Sequence, residues 1–297
     1  MTHRALYLLA KDRLSQAGID TPGFDAGVLV QHFLGLDRPG LAVHGAEEPS
    51  AQKERAFLLA LAQREERRPL QYIVGSWPFM GLELFVGEGV LAPREDTAVL
   101  VEAMAGAMDA DARRVGLDLC AGTGAVGLGL CSLLPAAKVF CVEKDPAALA
   151  YLRKNLARYS GFQVEALEAD VLSPELPENL PEGLDFIAAN PPYIESGDLL
   201  CLQPEVRREP AAALDGGPDG LVFYRAITSW WARLLRPGGL LGVEIGSTQG
   251  QAVKKLFQDS GFQRVQVRKD LGGLDRVVLG KKMRETGNFG LGWQRLL

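Results

Sequence analysis

The sequence predicts an α/β protein in which a doubly wound, mostly parallel sheet follows a small helical bundle. From Ala98 onward, short apolar segments alternate with helical segments, as in βαβ units. A glycine-rich turn joins the first of these strands to a helix, and the residues before 69 carry only helical periodicity. The chain of 297 residues is 47% hydrophobic and 23% charged, a globular composition that excludes disordered and fibrous classes.

The N-terminal part, residues 1–68, is expected to form a helical domain. Its first helix is stopped by Gly18, a second helix covers 25–34, and Ser50 is placed to cap a third. In residues 69–93, glycines punctuate short apolar stretches, which is typical of a β-hairpin connector.

The main domain is predicted over residues 94–282, and residues 283–297 form a tail without an assigned role. Its strands are predicted over 115–119, 138–142, 163–167, 184–189, 239–245, 263–268 and 275–280. Its helices are predicted over 96–107, 124–134, 146–158, 220–235 and 248–260.

Charge and hydropathy narrow the class of protein. There are 32 Lys and Arg against 37 Asp and Glu, a net charge of −5, which argues against binding nucleic acid by bulk electrostatics. The N-terminal apolar stretch is too short for a signal peptide, and no apolar run approaches the roughly 18 residues of a membrane span. We therefore expect a soluble cytoplasmic protein with no membrane partner and no direct nucleic-acid partner.

The cysteines predict neither a metal site nor a disulfide framework. Cys120, Cys131, Cys141 and Cys201 form no Cys-x-x-Cys pair, and none lies near a histidine in the sequence. Reduced, mostly buried thiols and no bound metal are the expectation.

A glycine-rich turn supplies the candidate cofactor site. The apolar strand that ends at Asp118-Leu119 runs into Cys120-Ala121-Gly122-Thr123-Gly124 and then a helix. Such turns let backbone approach a ligand closely, and Glu143 at the tip of the next strand can accept hydrogen bonds from both ribose hydroxyls. NAD, FAD and S-adenosylmethionine enzymes all use such turns.

Two details favour the last of these cofactors. Gly122, Gly124 and Gly127 fit the dinucleotide spacing Gly-x-Gly-x-x-Gly, but no arginine or lysine follows in the helix to neutralise a pyrophosphate. The acidic Asp118 suits a ligand that carries a sulfonium and an ammonium group. The turn resembles motif I of the class I S-adenosylmethionine methyltransferases. That resemblance implies that Asp170 meets the adenine amino group and that Val171 packs on the ring.

The run Asn190-Pro191-Pro192-Tyr193 follows the fourth strand of the main domain and specifies the chemistry. Ligands bind beyond the carboxyl ends of the strands in open α/β sheets, so this run is expected beside the glycine turn. The Asn190 side-chain oxygen and the Pro191 carbonyl can accept both N–H bonds of an –NH2 group, the prolines stiffen the loop, and Tyr193 offers a flat wall. The run resembles the amino-group methyltransferases, which act on nucleic-acid adenine or on protein glutamine.

Other segments favour protein glutamine. The chain resembles the HemK/PrmC family over about residues 5–282, in a helical part, a connector and a catalytic domain. The runs that carry the resemblance are Asp25-Ala26, His32-Phe33-Leu34-Gly35, Gln71-Tyr72-Ile73-Val74-Gly75, Phe79 to Val86, Val90 to Thr97, Glu209-Pro210, Ala213-Leu214, Gly216-Gly217, Asp219-Gly220-Leu221, Tyr224-Arg225, Glu244-Ile245-Gly246, Asp270-Leu271 and Asp275-Arg276-Val277.

The resemblance implies methyl transfer from S-adenosyl-L-methionine to the glutamine of the Gly-Gly-Gln motif in class I peptide-chain release factors. The product is S-adenosyl-L-homocysteine, and a monomer is expected. Ala92, Glu95 and Ala98 depart from the family pattern at the substrate mouth. Arg94 is expected either to line the cleft or to form a structural salt bridge.

Two alternatives stay open at this point. A sister enzyme that methylates a ribosomal-protein glutamine shares the motif and the fold. A nucleic-acid adenine methyltransferase should carry a basic target-reading domain, whereas the first 76 residues hold nine basic and nine acidic side chains.

Overall fold

The computed structural model describes residues 1–178 and 180–283. Its N-terminal part is helical, as predicted. The helices are α1 (His3–Gln16), α2 (Pro22–Leu29) with a π-helical turn (Val30–Leu34), α3 (Arg38–His44), α4 (Ala51–Glu65) and α5 (Leu70–Val74). Ser50 caps α4 as expected, because its side chain accepts a hydrogen bond from the Lys53 amide.

These helices share one apolar core. The core is built on Leu6 and Leu14 of α1, Leu29 of α2 and Phe57 of α4, all fully buried or nearly so. Leu70 of α5 packs against the same cluster. The helical packing therefore continues past residue 68, and the boundaries at 68 and 93 stay predictions.

A two-stranded hairpin follows the helices. Its antiparallel strands are β1 (Ser76–Phe79) and β2 (Leu82–Phe85). The Asn155 side chain fixes β2 to the main domain, since it accepts a hydrogen bond from the Phe85 amide at 2.7 Å and donates one to the Phe85 carbonyl at 3.0 Å.

The main sheet has seven strands, as the sequence predicts. They are β3 (Arg114–Leu119), β4 (Ala137–Glu143), β5 (Gln163–Glu168), β6 (Leu184–Ala189), β7 (Leu235–Glu244), β8 (Phe262–Lys269) and β9 (Asp275–Lys282). Their order is β5-β4-β3-β6-β7-β9-β8, with β9 antiparallel to both neighbours. The order reverses between β3 and β6, which is the point where open α/β sheets bind ligands.

Helices cover both faces of this sheet. They are α6 (Ala98–Gly106), α7 (Ala125–Leu133), α8 (Pro146–Arg158), α9 (Val222–Ser229) and α10 (Gly250–Asp259). One apolar cluster, which includes Leu128 and Met104, packs on one face, and another, which includes Trp231 and Tyr224, packs on the other. The predicted fold class is confirmed.

Two neighbouring predicted boundaries are wrong. The helix expected over 220–235 ends at Ser229, a 3-10 turn covers Trp231–Leu234, and β7 begins at Leu235. The strand pairing shifts between Leu235 and Leu240, where Pro237, Gly238 and Gly239 form an irregular stretch. Proline and a glycine at φ +81° disrupt regular pairing. The apolar pattern therefore predicted that the strand begins at residue 239, whereas β7 begins at Leu235.

The tail assigned to residues 283–297 lies outside the described residues, except for Met283. Within residues 1–178 and 180–283, no helix has the length and apolar character that crossing a bilayer requires.

Candidate active site

The turn after β3 brings backbone close to the ligand-binding edge of the sheet. Cys120, Gly122 and Gly124 all adopt left-handed backbone, at φ values of 58°, 55° and 83°. A Cβ on Gly124 would lie 2.7 Å from the Leu152 Cδ1 atom of α8, so that side chain would have to shift, and the positive φ strains any residue other than glycine. Cys120 takes a conformation that usually costs a side-chain-bearing residue about 1 kcal/mol. The turn is thus held in a strained shape by its surroundings.

Glu143, at the end of β4, braces this turn. Its Oε2 atom accepts a hydrogen bond from the Gly122 amide at 2.9 Å, and its Oε1 atom accepts from the Lys144 and Asp145 amides at 2.8 and 2.9 Å. A carboxylate has about four lone-pair sites, so this one still has acceptor capacity for a ligand.

Asp118 lies beneath the turn and not in the cleft. It is 1% exposed, and its Oδ2 atom accepts a hydrogen bond from the Gly127 amide at 2.8 Å. Burial raises the pKa of this carboxyl to about 7. Its contacts tie the end of β3 to the first turn of α7, and the expected contact with positive groups of a cofactor stays a prediction.

A cleft opens beside the turn, and most of the predicted site residues line it. They are Cys120, Ala121, Gly122, Thr123, Glu143, Asp170, Val171, Asn190 and Pro192. Asp118, Gly124, Pro191 and Tyr193 lie outside this lining. Connector residues 89–93, together with Arg94 and Thr97, form a further wall of the cleft. Of these, Arg94 is the residue that the sequence analysis named for a role in the cleft.

Asp170 and Val171, two of the predicted residues, follow β5 and line the cleft. Asp170 pairs with Lys144 at 3.2 Å and accepts a hydrogen bond from the Leu172 amide at 2.9 Å. Val171 is buried and lines the cleft. Cys120 also lines the cleft, and burial raises the pKa of its thiol well above the usual value.

Asn190 stands at the carboxyl end of β6, and its amide is anchored. The Nδ2 atom donates a hydrogen bond to the Thr97 Oγ1 atom at 3.2 Å. Since the –NH2 end is engaged, the Oδ1 end is oriented as a hydrogen-bond acceptor. A side chain held in this way can receive an N–H group without reorganising.

Tyr193, in the same run as Asn190, contacts a buried carboxylate. Glu244 ends β7 and is 1% exposed, and the Tyr193 hydroxyl donates a hydrogen bond to its Oε1 atom at 3.4 Å. Burial raises the pKa of Glu244 to about 7, although the Thr97 hydroxyl and the Arg276 charge oppose this rise. Burial likewise raises the pKa of Tyr193 to about 12.

Sequence reasoning missed Thr97, which lines the cleft and accepts the hydrogen bond from Asn190. Thr97 carried no pattern of its own, since it precedes α6 in a region assigned to a helix.

Arg94 fulfils both of its expected roles. It lines the cleft, and its guanidinium pairs with the Glu209 carboxylate. Glu209 also accepts a hydrogen bond from the Ala92 amide at 3.1 Å. Burial raises the pKa of Glu209. The connector is therefore fixed to the segment that follows Tyr193.

A second set of ion pairs joins the helical part to the same segment. Arg64 of α4 is buried and pairs with Asp25 of α2 at 2.7 Å and with Glu205 at 2.8 Å. Arg67 reaches the same Glu205 oxygen at 2.9 Å from a more exposed position. Among the described residues, no group of three or more potential metal ligands occurs.

Comparison with known proteins agrees with this geometry. Residues 5–75 match the family described as PrmC N-terminal domain, and residues 94–209 match Methyltransferase small domain. Release factor glutamine methyltransferase of Moorella thermoacetica is 41% identical over 96% of this chain and 100% of that protein. Its counterpart in Mycolicibacterium smegmatis is 42% identical over 92% and 95%. A methyltransferase structure from Pyrococcus furiosus, 17% identical with a TM-score of 0.52, covers 75% of this chain and 99% of that chain and shows the fold alone.

Proposed function

The chain belongs to the release factor glutamine methyltransferase family, and from that premise we propose its target: the glutamine of the Gly-Gly-Gln motif in class I peptide-chain release factors. Transfer of a methyl group to protein glutamine is the activity of the family. The observation that carries the proposal is Asn190, whose amide is anchored on Thr97 beside the glycine turn.

The cleft suits S-adenosylmethionine. When bound, this group supplies a methyl on a positively charged sulfur. The Glu143 carboxylate would accept hydrogen bonds from the ribose hydroxyls, Asp170 would face the adenine amino group, and Val171 would pack against the ring. The residues present fit this cofactor because two hydrogen-bond-accepting carboxylates, Glu143 and Asp170, line the same mostly apolar cleft as Val171 and Gly122.

The protein's own part in the reaction is to hold a weak nucleophile. An amide nitrogen is a poor nucleophile because its lone pair is delocalised into the carbonyl group. In the proposed complex, Asn190 Oδ1 and the Pro191 carbonyl accept the two N–H bonds, which favours a pyramidal nitrogen and disperses the growing positive charge. The proton leaves after methyl transfer, so no general base is needed before attack. Alignment in the stiff loop supplies much of the rate gain.

In this proposal, the ring of Tyr193 packs flat against the substrate amide. Its hydroxyl is turned toward Glu244, and its backbone carbonyl accepts a hydrogen bond from Gln249 at 2.9 Å. These contacts support a fixed ring position.

The experiment that tests the proposal maps the methylated atom. The protein is incubated with labelled S-adenosylmethionine and, in separate reactions, a class I release factor, ribosomal proteins and DNA. We expect label on the motif glutamine, and none on a release factor in which that glutamine is alanine. Label confined to ribosomal protein or to DNA would contradict the proposal.

Replacing Glu143 with alanine should weaken S-adenosylmethionine binding by about 10- to 100-fold, since a charged hydrogen bond is worth about 1.5–3 kcal/mol. Isothermal titration calorimetry measures the effect. Glu168→Ala is the matched control, because Glu168 is paired with Glu143 in the β4–β5 register but does not line the cleft. Equal affinities of the two variants would exclude the ribose role.

A further inference from the structure

We propose that the β8–β9 turn, residues 270–274, is a docking point for the body of the protein that carries the substrate glutamine. Its Leu271 and Leu274 side chains contact an apolar patch on the surface of that protein, next to the loop that enters the cleft. The inference deepens the proposed function and rests on it in one respect, namely that the substrate is a folded protein.

The exposure of leucine side chains singles out one edge of the molecule. Among the large apolar side chains of the described residues, the two most exposed are Leu271, which is fully exposed, and Leu200, which is 82% exposed. Leu274 is also exposed. Leu200 lies on the loop that leaves the carboxyl end of β6 after Tyr193. An exposed leucine adds nothing to the apolar core, so a cluster of them at the ligand-binding edge indicates a contact surface.

The β8–β9 turn lies at the mouth of the cleft. The Ile245 amide, just after β7, donates a hydrogen bond to the Arg276 carbonyl at 2.9 Å, so β9 begins beside the carboxyl end of β7. The Arg276 guanidinium then pairs with Asp270 of the turn at 3.0 Å and with Asp96 at 3.2 Å. Asp96 precedes Thr97, which lines the cleft. The turn is therefore tied to the wall of the catalytic cleft by one arginine.

The turn is also rigid. The Asp270 side chain accepts hydrogen bonds from the Leu274 amide at 3.0 Å and from Arg276. The Asp270 amide donates to the Leu274 carbonyl at 2.9 Å, and the Gly273 amide, at φ +80°, donates to the Asp270 carbonyl at 3.0 Å. The leucines are thus presented on a preformed surface, which lowers the entropy cost of binding.

The occupant follows from continuity with the cleft. When a glutamine of a folded protein reaches Asn190, the body of that protein must cover the cleft mouth. Specific protein complexes bury roughly 800 Å² on each partner, more than one glutamine side chain supplies. The β8–β9 turn provides apolar surface for this contact. Since Glu95 and Asp96 are exposed between the turn and the cleft, the fitting patch carries a basic side chain next to its apolar contact.

The first test measures binding of a release factor to the parent, to Leu271→Gln and to Leu271→Met. Calorimetry is done with S-adenosyl-L-homocysteine present, so that no methyl group is transferred. We expect the Kd of Leu271→Gln to rise about tenfold or more, because the burial of one leucine is lost, and Leu271→Met to stay near the parent. Affinity for S-adenosylmethionine and the melting temperature should be unchanged. A parental Kd in Leu271→Gln overturns the proposal.

Leu133→Gln is the matched control. Leu133 is also exposed, but it ends α7, which begins at the glycine turn and leads to the opposite edge of the sheet, where β4 begins. Its replacement should leave the Kd unchanged, and equal weakening in both glutamine variants would contradict a local contact. In steady-state kinetics, Leu271→Gln should raise KM for release factor and keep kcat. A fall in kcat with an unchanged KM also overturns the docking role.

Hydrogen exchange of residues 268–276 locates the contact directly. We expect slower amide exchange in this segment when release factor is added, and unchanged exchange overturns the proposal. A second copy of this chain is the competing occupant. Sedimentation velocity tests it, since a parental dimer that Leu271→Gln dissociates would assign the turn to self-association.

The binding partner is whichever protein takes the label in the mapping experiment, which separates the two proposals. If a ribosomal protein is labelled and release factor is not, the proposed target is wrong, and the same comparison with the ribosomal protein still tests the turn. Label on DNA alone defeats both proposals. A parental Kd of Leu271→Gln for the labelled protein defeats the docking proposal alone.

Discussion

Replacing Asn190 with alanine is expected to lower kcat for methyl transfer by about 100- to 1,000-fold, the range seen when one preorganised transition-state contact is removed. The Asn190 oxygen would strengthen its bond to the substrate nitrogen as positive charge develops there. An interaction made mainly in the transition state lowers kcat when it is lost and leaves substrate binding less affected. Steady-state kinetics on release factor measures the effect.

The controls separate chemistry from folding. S-adenosylmethionine affinity by calorimetry and the melting temperature should stay close to those of the parent. Gln203→Ala removes a side-chain amide that contacts Asp20 at 3.3 Å outside the catalytic cleft, and it should keep full activity. An Asn190→Ala variant with parental turnover would remove Asn190 from the mechanism.

Replacing Arg64 with alanine is expected to cost about 3–5 kcal/mol of stability, the range for breaking one side of a buried ion pair. The Arg64 and Asp25 side chains are only 7% and 4% exposed. Without the guanidinium, two acidic groups, Asp25 and Glu205, lose their shared cation. Urea unfolding, followed by both circular dichroism and tryptophan fluorescence, measures the change in free energy of unfolding.

Arg67→Ala is the matched control for this change. Arg67 contacts the same Glu205 oxygen, but its side chain is 26% exposed, and no ion pair to Asp25 is seen. Partly exposed pairs contribute up to about 1 kcal/mol, so the two arginine variants should differ severalfold. Equal losses in both would show that burial does not set the strength of this contact.

Much of the fold could be predicted because its signals are local. The apolar run of β3 and the glycine turn after it lie next to each other in the sequence, and the seven strands follow one alternating pattern. The start of β7 could not be placed, since the pairing of Leu235 with Leu184 is a tertiary contact across an irregular stretch. The short helices α3 and α5 likewise lacked enough residues for a periodic signal.

The residues of the candidate site likewise divide into those with a local sequence signal and those without one. Asn190 and Glu143 could be chosen because each follows or ends a strand at the ligand-binding edge. Thr97 could not be chosen, because its place in the site depends on a hydrogen bond with Asn190, which lies 93 positions away in the chain. The ligand contact suggested by the charge of Asp118 stays a prediction, since the hydrogen bond that Asp118 accepts from the Gly127 amide lies beneath the turn and outside the cleft lining.

The contact between Arg64 and Glu205 also bears on the order in which the molecule assembles. The two residues are 141 positions apart in the chain. At elongation rates of about 5–20 residues per second, Glu205 is made on the order of 10 s after Arg64. The ion pair can form only after that interval, whereas the buried residues of the helical part's own apolar core are all made earlier. Docking of the helical part onto the segment that holds Glu205 is therefore a late event in the synthesis of the chain.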